Sequence, residues 1–178
     1  MFYPMAILFF QLEKFRGLGL GESFNIRLFE DKDVVEVVRI NQICLPENYS
    51  DFFFLDIYHQ FPRTFFIAIV NGKVVGYIMC RAEIDFSEMK RFRLGKKGHV
   101  ISLAVLPQYR GKGIAHSLLS KTLENISEYG VSECYLEVRV GNKAAIDLYK
   151  DFDFKVSRMS PGYYRDGEDA YVMTKILA

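Results

Sequence analysis

The run Ser102-Leu103-Ala104-Val105-Leu106-Pro107-Gln108-Tyr109-Arg110-Gly111-Lys112-Gly113-Ile114-Ala115 has the residue types and the spacing to hold an anion. Its first part reads as an apolar strand. A tight loop with two glycines follows. A helix then begins, with Ile114, Ala115, Leu118, Leu119, Leu123 and Ile126 on one face. A loop that drops onto a helix N-terminus offers backbone N–H groups without intrahelical partners, at the positive end of the helix dipole. Gly111 and Gly113 let a phosphate approach that backbone closely, and Arg110 and Lys112 bring positive charge to the same place.

Two familiar phosphate loops do not fit. A Walker A loop needs Gly-Lys followed by Ser or Thr, and here Gly111-Lys112 is followed by Gly113. The dinucleotide fingerprint needs a third small residue where this chain has His116. The spacing Gln108-x-x-Gly111-x-Gly113 instead resembles the acetyl-CoA pyrophosphate loop of the GCN5-related N-acetyltransferase (GNAT) superfamily. Asn142-Lys143-Ala144-Ala145-Ile146-Asp147-Leu148-Tyr149-Lys150-Asp151-Phe152-Asp153-Phe154 resembles that superfamily's second signature, in which an Asn opens a helix, a Tyr closes it and a strand follows. Two further segments, Leu45-Pro46-Glu47-Asn48-Tyr49 and Gly162-Tyr163-Tyr164-Arg165-Asp166-Gly167-Glu168-Asp169-Ala170-Tyr171, resemble the substrate loops of N-terminal protein acetyltransferases. The likeness is strongest to archaeal N-alpha-acetyltransferases, relatives of the NatA catalytic subunit and of bacterial RimI. It runs from about Phe24 to the C-terminus.

The resemblance implies a transfer of acetyl from acetyl-CoA directly to the α-amino group of a protein N-terminus, with no metal. Small first residues and Met-Leu starts would both be accepted. The pyrophosphate would sit over Arg110, Gly111, Lys112, Gly113, Ile114 and Ala115. The pantetheine arm would pair like an added strand with the backbone of Leu103, Ala104 and Val105, and Asn142 would hold its far end. Backbone N–H groups at the thioester could stabilise the developing oxyanion, an effect of about 3–4 kcal/mol per donor in other enzymes.

An α-amino group has a pKa near ~7.7–8.0, against ~10.4 for lysine. A modest base therefore suffices. By the same resemblance His99 and Glu47 take the amine's proton. Tyr149 contacts the cofactor and protonates the leaving thiolate. Leu45, Glu47, Tyr49, Glu137, Tyr163 and Tyr164 line the peptide site. His99 shares strand parity with Ile101, Leu103 and Val105, and Glu137 would lie on the neighbouring strand, placed to orient the imidazole. Position alone leaves other roles open: a hydrogen-bonded strand-end histidine for His99, a core aromatic beside Ile146 for Tyr149, a surface loop residue for Glu47. His99 and Glu137 together make only a two-residue metal site, which is weak.

These side chains need a scaffold. Phe24 to Phe29 alternates and reads as a strand. Asp31-Lys32-Asp33 offers a helix N-cap ahead of Val34, Val37 and Val38 on one face, and Pro46 ends that helical region. Asp51 to Gln60 reads as an aromatic-rich helix. Phe65 to Val70 and Val74 to Cys80 read as strands joined by the hairpin signal Asn71-Gly72. Glu83 to Gly98 is expected to be a charged, irregular insertion, with Lys90-Arg91-Phe92-Arg93 in a solvated loop. His99 to Leu106 is the expected central strand, followed by a strand at Glu133 to Val140 and a helix from Asn142. Strands near Phe154 to Ser157 and Glu168 to Ile176 close the domain. The order β-α-α-β-β-β-α-β-α-β-β makes a mixed α/β domain. The resemblance refines this to a single GNAT fold, with a mostly antiparallel mixed sheet and a splayed central strand pair flanked by helices.

A chain of 178 residues is most simply one domain, expected at 24–178. Residues 1–23 are expected to be an extension, apolar and then glycine-rich. The formal net charge of +1 gives no global field to recruit nucleic acid or a membrane. Cys44, Cys80 and Cys134 are odd in number and lack metal-ligand spacing, so they are expected to be buried thiols in a reducing, cytoplasmic compartment. Met1 to Phe10 is apolar but has no basic lead, and Gln11, Glu13 and Lys14 interrupt it. It is too short to span a bilayer and a poor signal peptide. The expected state is a monomer, or a weak homodimer through this extension, acting on protein N-termini that include nascent chains at the ribosome. Two other readings stay open. One is a GNAT enzyme acting on a lysine side chain or a small-molecule amine. The other is a non-catalytic acyl-CoA-binding module that docks on a partner.

Overall fold

A computed structural model describes residues 23–87 and 93–177. The strands are β1 (Phe24–Leu28), β2 (Phe65–Val70), β3 (Lys73–Ser87), β4 (Arg93–Val105), β5 (Glu133–Arg139), β6 (Lys155–Ser160) and β7 (Ala170–Ile176). The helices are α1 (Val34–Cys44), α2 (Asp51–Gln60), α3 (Ile114–Ile126) and α4 (Lys143–Asp151). The strands form one seven-stranded sheet in the order β1-β2-β3-β4-β5-β7-β6. Every pairing is antiparallel except β4 with β5. The expected mixed, mostly antiparallel sheet is therefore present.

Local sequence explains the elements closest to the site. Asn71 and Gly72 both have positive φ, 48° and 77°, which matches the twist a two-residue hairpin demands between β2 and β3. Ser50 caps α2 by accepting from the Phe53 N–H, and Asn142 caps α4 by accepting from the Ala145 N–H. Phe29, Phe54, Phe65 and Tyr77 form an aromatic core with almost no exposed surface. Phe29 stacks on Phe65 at 4.1 Å, and Phe54 meets Tyr77 edge-on at 5.7 Å.

One expectation is corrected. Glu83 to Gly98 is not an irregular insertion in the described residues. β3 and β4 continue as a paired ribbon, from Glu83↔Lys97 out to Ser87↔Arg93. The charges there alternate with Ala82, Ile84 and Phe86, which is a strand's period, and Glu83 lies opposite Lys97. The central strand thus begins at Arg93 rather than at His99. Of the expected solvated loop, residues 90–92 lie outside the described residues, as does the N-terminal extension through residue 22. Among the described residues no helix is long and apolar enough to cross a membrane.

The feature that makes the site is where β4 leaves β5. They pair only at Lys97↔Glu133, Gly98↔Cys134 and His99↔Tyr135. Past His99 the strands part, and the edge of β4 from Ile101 to Val105 that faces β5 has no strand beside it. Gly98 sits at this fork. A Cβ there would come within 2.9 Å of an Ile126 side-chain carbon and 3.3 Å of the Cys134 sulfur. Only glycine lets α3 press this close to the last paired residues.

Candidate active site

Two cavities flank the fork. The first has a volume of about 470 Å³ and runs from the open edge of β4 to the start of α3. Leu103, Ala104, Val105, Arg110, Gly111, Gly113, Ile114, Ala115, Asn142 and Tyr149 all line it. Gly111 and Gly113 hold left-handed backbone, with φ of 72° and 80°, and Gly113 is the residue on which α3 starts. A Cβ at either position would meet nothing within 4 Å. In the chain alone, glycine is thus required by backbone shape rather than by space. No side chain caps α3, so its first-turn N–H groups point out as donors.

The two loop cations are placed less simply than the sequence suggests. The Arg110 guanidinium turns back and donates through Nε to the Val105 carbonyl at 2.8 Å. Lys112 does not line the cavity, and its ammonium lies 5.3 Å from the centre of the Tyr109 ring. The Cys44 thiol also donates to the Val105 carbonyl, at 3.5 Å.

The second cavity, about 580 Å³, opens on the other side of the fork. Leu45, Glu47, Tyr49, Glu137, Tyr163 and Tyr164 line it together. The two cavities share Cys44, Leu45, Leu103, Asn142, Ala145 and Tyr149 as walls, so they meet. A group delivered along β4 from one side reaches a group delivered between the loops from the other.

His99 is not a wall of either cavity. It stacks flat on Tyr135 at 4.4 Å, and its Nε2 lies 2.9 Å from the Glu137 carboxylate, which does face the second cavity. Tyr135 in turn donates its hydroxyl to Glu83. With Nε2–H donated to Glu137, the lone pair of a neutral ring lies on Nδ1, which is buried without a hydrogen-bond partner. The histidine therefore backs the carboxylate that the sequence placed beside it.

Burial keeps the phenols of the site protonated. It pushes the Tyr149 hydroxyl well above its ordinary value. Tyr163 is pushed up to about 12, first by burial and then by the negative charges of Glu137 and Glu47. Tyr49 and Tyr164 are raised for the same reasons.

The sequence pointed to Glu47 but not to what holds it. Arg139, at the end of β5, contacts the Glu47 carboxylate at 2.5 Å, Asp166 at 2.7 Å and Glu168 at 2.8 Å. Its guanidinium carbon lies 3.9 Å from the centre of the Tyr164 ring. Glu168 also accepts from the Gly141 N–H. Asp166 is held below the ordinary carboxylate range by the Glu168 backbone N–H and by Arg139. Glu168 is held there by Arg139 and the Gly141 N–H. The partners themselves raise the Arg139 pKa further. Asp166 and Glu168 stand in a quoted motif and Arg139 only in the strand expected at Glu133 to Val140, yet nothing in their spacing shows that one guanidinium gathers carboxylates from two distant loops.

Among the described residues no three His, Cys, Asp or Glu side chains converge to hold a metal ion.

Two cavities meeting at a parted strand pair, with an uncapped glycine-started helix on one side, define an acyltransferase of the GNAT kind. Residues 34–154 match the acetyltransferase (GNAT) family, and the chain belongs to it. It is 45% identical over 159 residues to the N-alpha-acetyltransferase of Saccharolobus solfataricus, covering 88% of this chain and 95% of that one. Identity to the N-alpha-acetyltransferase of Sulfurisphaera tokodaii is 47% over 159 residues, with the same coverage. Among solved structures it resembles Ard1 from Thermoplasma volcanium, with a TM-score of 0.75 and 32% identity over 87% of this chain and 98% of that one. It also resembles Arabidopsis thaliana Naa50 in complex with the bisubstrate analogue CoA-Ac-MVNAL, with a TM-score of 0.74 and 29% identity over 87% and 99%.

Proposed function

We propose that this protein is an N-alpha-acetyltransferase that moves acetyl from acetyl-CoA directly to the α-amino group of protein N-termini. The observation that carries the reading is the meeting of the two cavities at Leu103 and Tyr149, with a phosphate-competent loop on one side and carboxylates and tyrosines on the other.

The cofactor pyrophosphate lies over residues 110–115, on the first-turn N–H groups of α3. The pantetheine arm takes the place a strand would have along Leu103 to Val105. The neutral α-amine enters from the second cavity, and its nitrogen attacks the thioester carbon. The carbon–sulfur bond breaks, and Tyr149, which lines both cavities, gives its proton to the departing thiolate and regains one from solvent. The amine's proton goes to Glu137 with His99 behind it, directly or through a water. Glu47 is the second acceptor, steadied by Arg139. Tyr49, Tyr163 and Tyr164 grip the peptide backbone and wall in the first side chain. We place the protein in the cytoplasm, acting on N-termini that include those of nascent chains.

The test is a set of peptides beginning with Ser, Ala or Met-Leu, one with Pro second, and N-terminally blocked peptides bearing lysine. An apolar wall discriminates by only about 1–3 kcal/mol per methylene. Ser, Ala and Met-Leu peptides are therefore all expected to react. The Pro peptide is not, because it lacks the backbone N–H to be gripped and its φ is fixed. Preferential acetylation of the blocked lysine peptides would overturn the reading. A Ser-over-Met preference beyond about a thousandfold, roughly 4 kcal/mol, would overturn the relaxed pocket.

A further inference from the structure

We propose that Asn41 is the positioning residue of the acceptor loop, and that through Tyr77 and Ser102 it ties that loop to the strand that receives the acyl donor. The inference rests on the reading of the second cavity as the peptide site.

The loop between α1 and α2 carries Glu47 and Tyr49 into that cavity. It belongs to neither helix, so helical hydrogen bonds do not hold its backbone. Asn41, on α1, supplies what is missing. Its side-chain oxygen accepts from the Tyr49 N–H at 3.1 Å, and its Nδ2 donates to the Glu47 carbonyl at 3.1 Å. One amide thus pins the backbone at both residues whose side chains line the cavity. Nδ2 also donates to the Tyr77 hydroxyl at 3.1 Å. With one acceptor and two donors engaged, rotating the amide by half a turn would set donor against donor and acceptor against acceptor.

The hydroxyl of Tyr77 lies 2.8 Å from the Ser102 hydroxyl. Ser102 is on β4 between Ile101 and Leu103, and Leu103 lines both cavities. Asn41 and Tyr77 have no exposed surface, and Ser102 has 6%. The Tyr77 ring is fixed edge-on against Phe54, so its hydroxyl cannot turn to another partner. Neither Asn41 nor Tyr77 lines either of these two cavities, which keeps both out of direct contact with the substrates proposed to fill them. A buried polar chain of this kind rigidifies what it joins, because each broken link leaves a polar group unsatisfied. Here it joins the β4 edge at Leu103 to the Glu47–Tyr49 loop, so acyl donor and amine are placed by one framework.

The experiment measures peptide and acetyl-CoA KM separately, with kcat and Tm, for Asn41→Leu, Tyr77→Phe and the unaltered protein. Asn41→Leu is expected to raise peptide KM about tenfold or more, from the loss of two backbone anchors. Tyr77→Phe keeps the ring packing and is expected to raise it about threefold or more. In both, acetyl-CoA KM stays within about twofold of normal. If Asn41→Leu does not fold, Tyr77→Phe decides alone. A folded Tyr77→Phe with a lowered Tm but unchanged peptide KM and kcat would reduce the chain of bonds to a stability element and overturn the proposal. So would a matching rise in both KM values. Failure of the unaltered protein to acetylate peptides would instead sink the functional reading, and it is seen before any substitution is made.

Discussion

The donor side and the acceptor side of the fork are built from different materials. The donor side is backbone: two left-handed glycines, an uncapped helix start and a strand edge that β5 abandons. Its residues lie almost within one run of the chain. The acceptor side is charge: Arg139 gathers Glu47 from the α1–α2 loop and Asp166 and Glu168 from the β6–β7 loop. Backbone geometry shapes the first region without help from charged partners. The second region holds its loops together through ion pairs, which salt and pH can reach.

The largest expected effect is on the proton taken from the amine. Glu47→Ala and Glu137→Ala should each leave measurable turnover. The double variant should lose kcat far beyond either, by a factor within the roughly 10²–10⁴ that a positioned base contributes. Steady-state kcat across the three variants checks this. Near-normal turnover in the double variant would move proton transfer away from both carboxylates, to solvent.

Next is Arg139→Met, which removes the cation that holds Glu47, Asp166 and Glu168 together. Peptide kcat/KM is expected to fall about a hundredfold, roughly 2.7 kcal/mol, with acetyl-CoA KM little changed. An equal loss on the cofactor side would erase the contrast between the two regions.

The matching change on the donor side is Gly111→Val. A Cβ meets open space there, so the damage comes from forcing a β-branched residue to φ 72°, a cost of about 1–3 kcal/mol. Cofactor KM should rise more than about tenfold, with peptide KM nearly unchanged. Unaltered acetyl-CoA affinity in the folded variant would remove the loop from the cofactor site.

The smallest effect is on pH. Asp166 and Glu168 have folded values below their ordinary ones, so the stability they lend the acceptor rim is fully present above the unfolded values near pH ~4. It is lost as pH falls through the lower folded values. Once corrected for protonation of the peptide α-amine, whose neutral fraction falls about tenfold per pH unit below its pKa, peptide KM is therefore expected to hold from neutral pH down to about 5 and to climb only below about 4. A rise in the corrected KM between pH 7 and 5 would mean that other groups hold the rim.

The same contrast explains what the sequence revealed. The glycine loop, the Asn142 cap and the Asn71-Gly72 turn are local, and each announces itself within a few residues. Glu83 to Gly98 reads as a loop because its many charges mask a period of two. Arg139 and Glu47 are 92 positions apart, and no local pattern joins them. Asn41 sits in a helix whose other buried positions are Val37 and Ile40, and an amide among aliphatics gives no hint of the loop it holds. The strand that carries His99 is legible in the sequence, but whether His99 or Glu137 faces the cavity depends on how the strands part.

Arg139 also bears on how such a protein can diversify. Because one guanidinium fastens both acceptor loops, neither loop can lengthen, shorten or shed its carboxylate without loosening the other. Among related chains, changes at the positions of Glu47, Asp166 and Glu168 should then arrive together, or follow a loss of the arginine. The donor loop, anchored on its own backbone, carries no such shared inheritance and can stay constant while the range of accepted N-termini drifts.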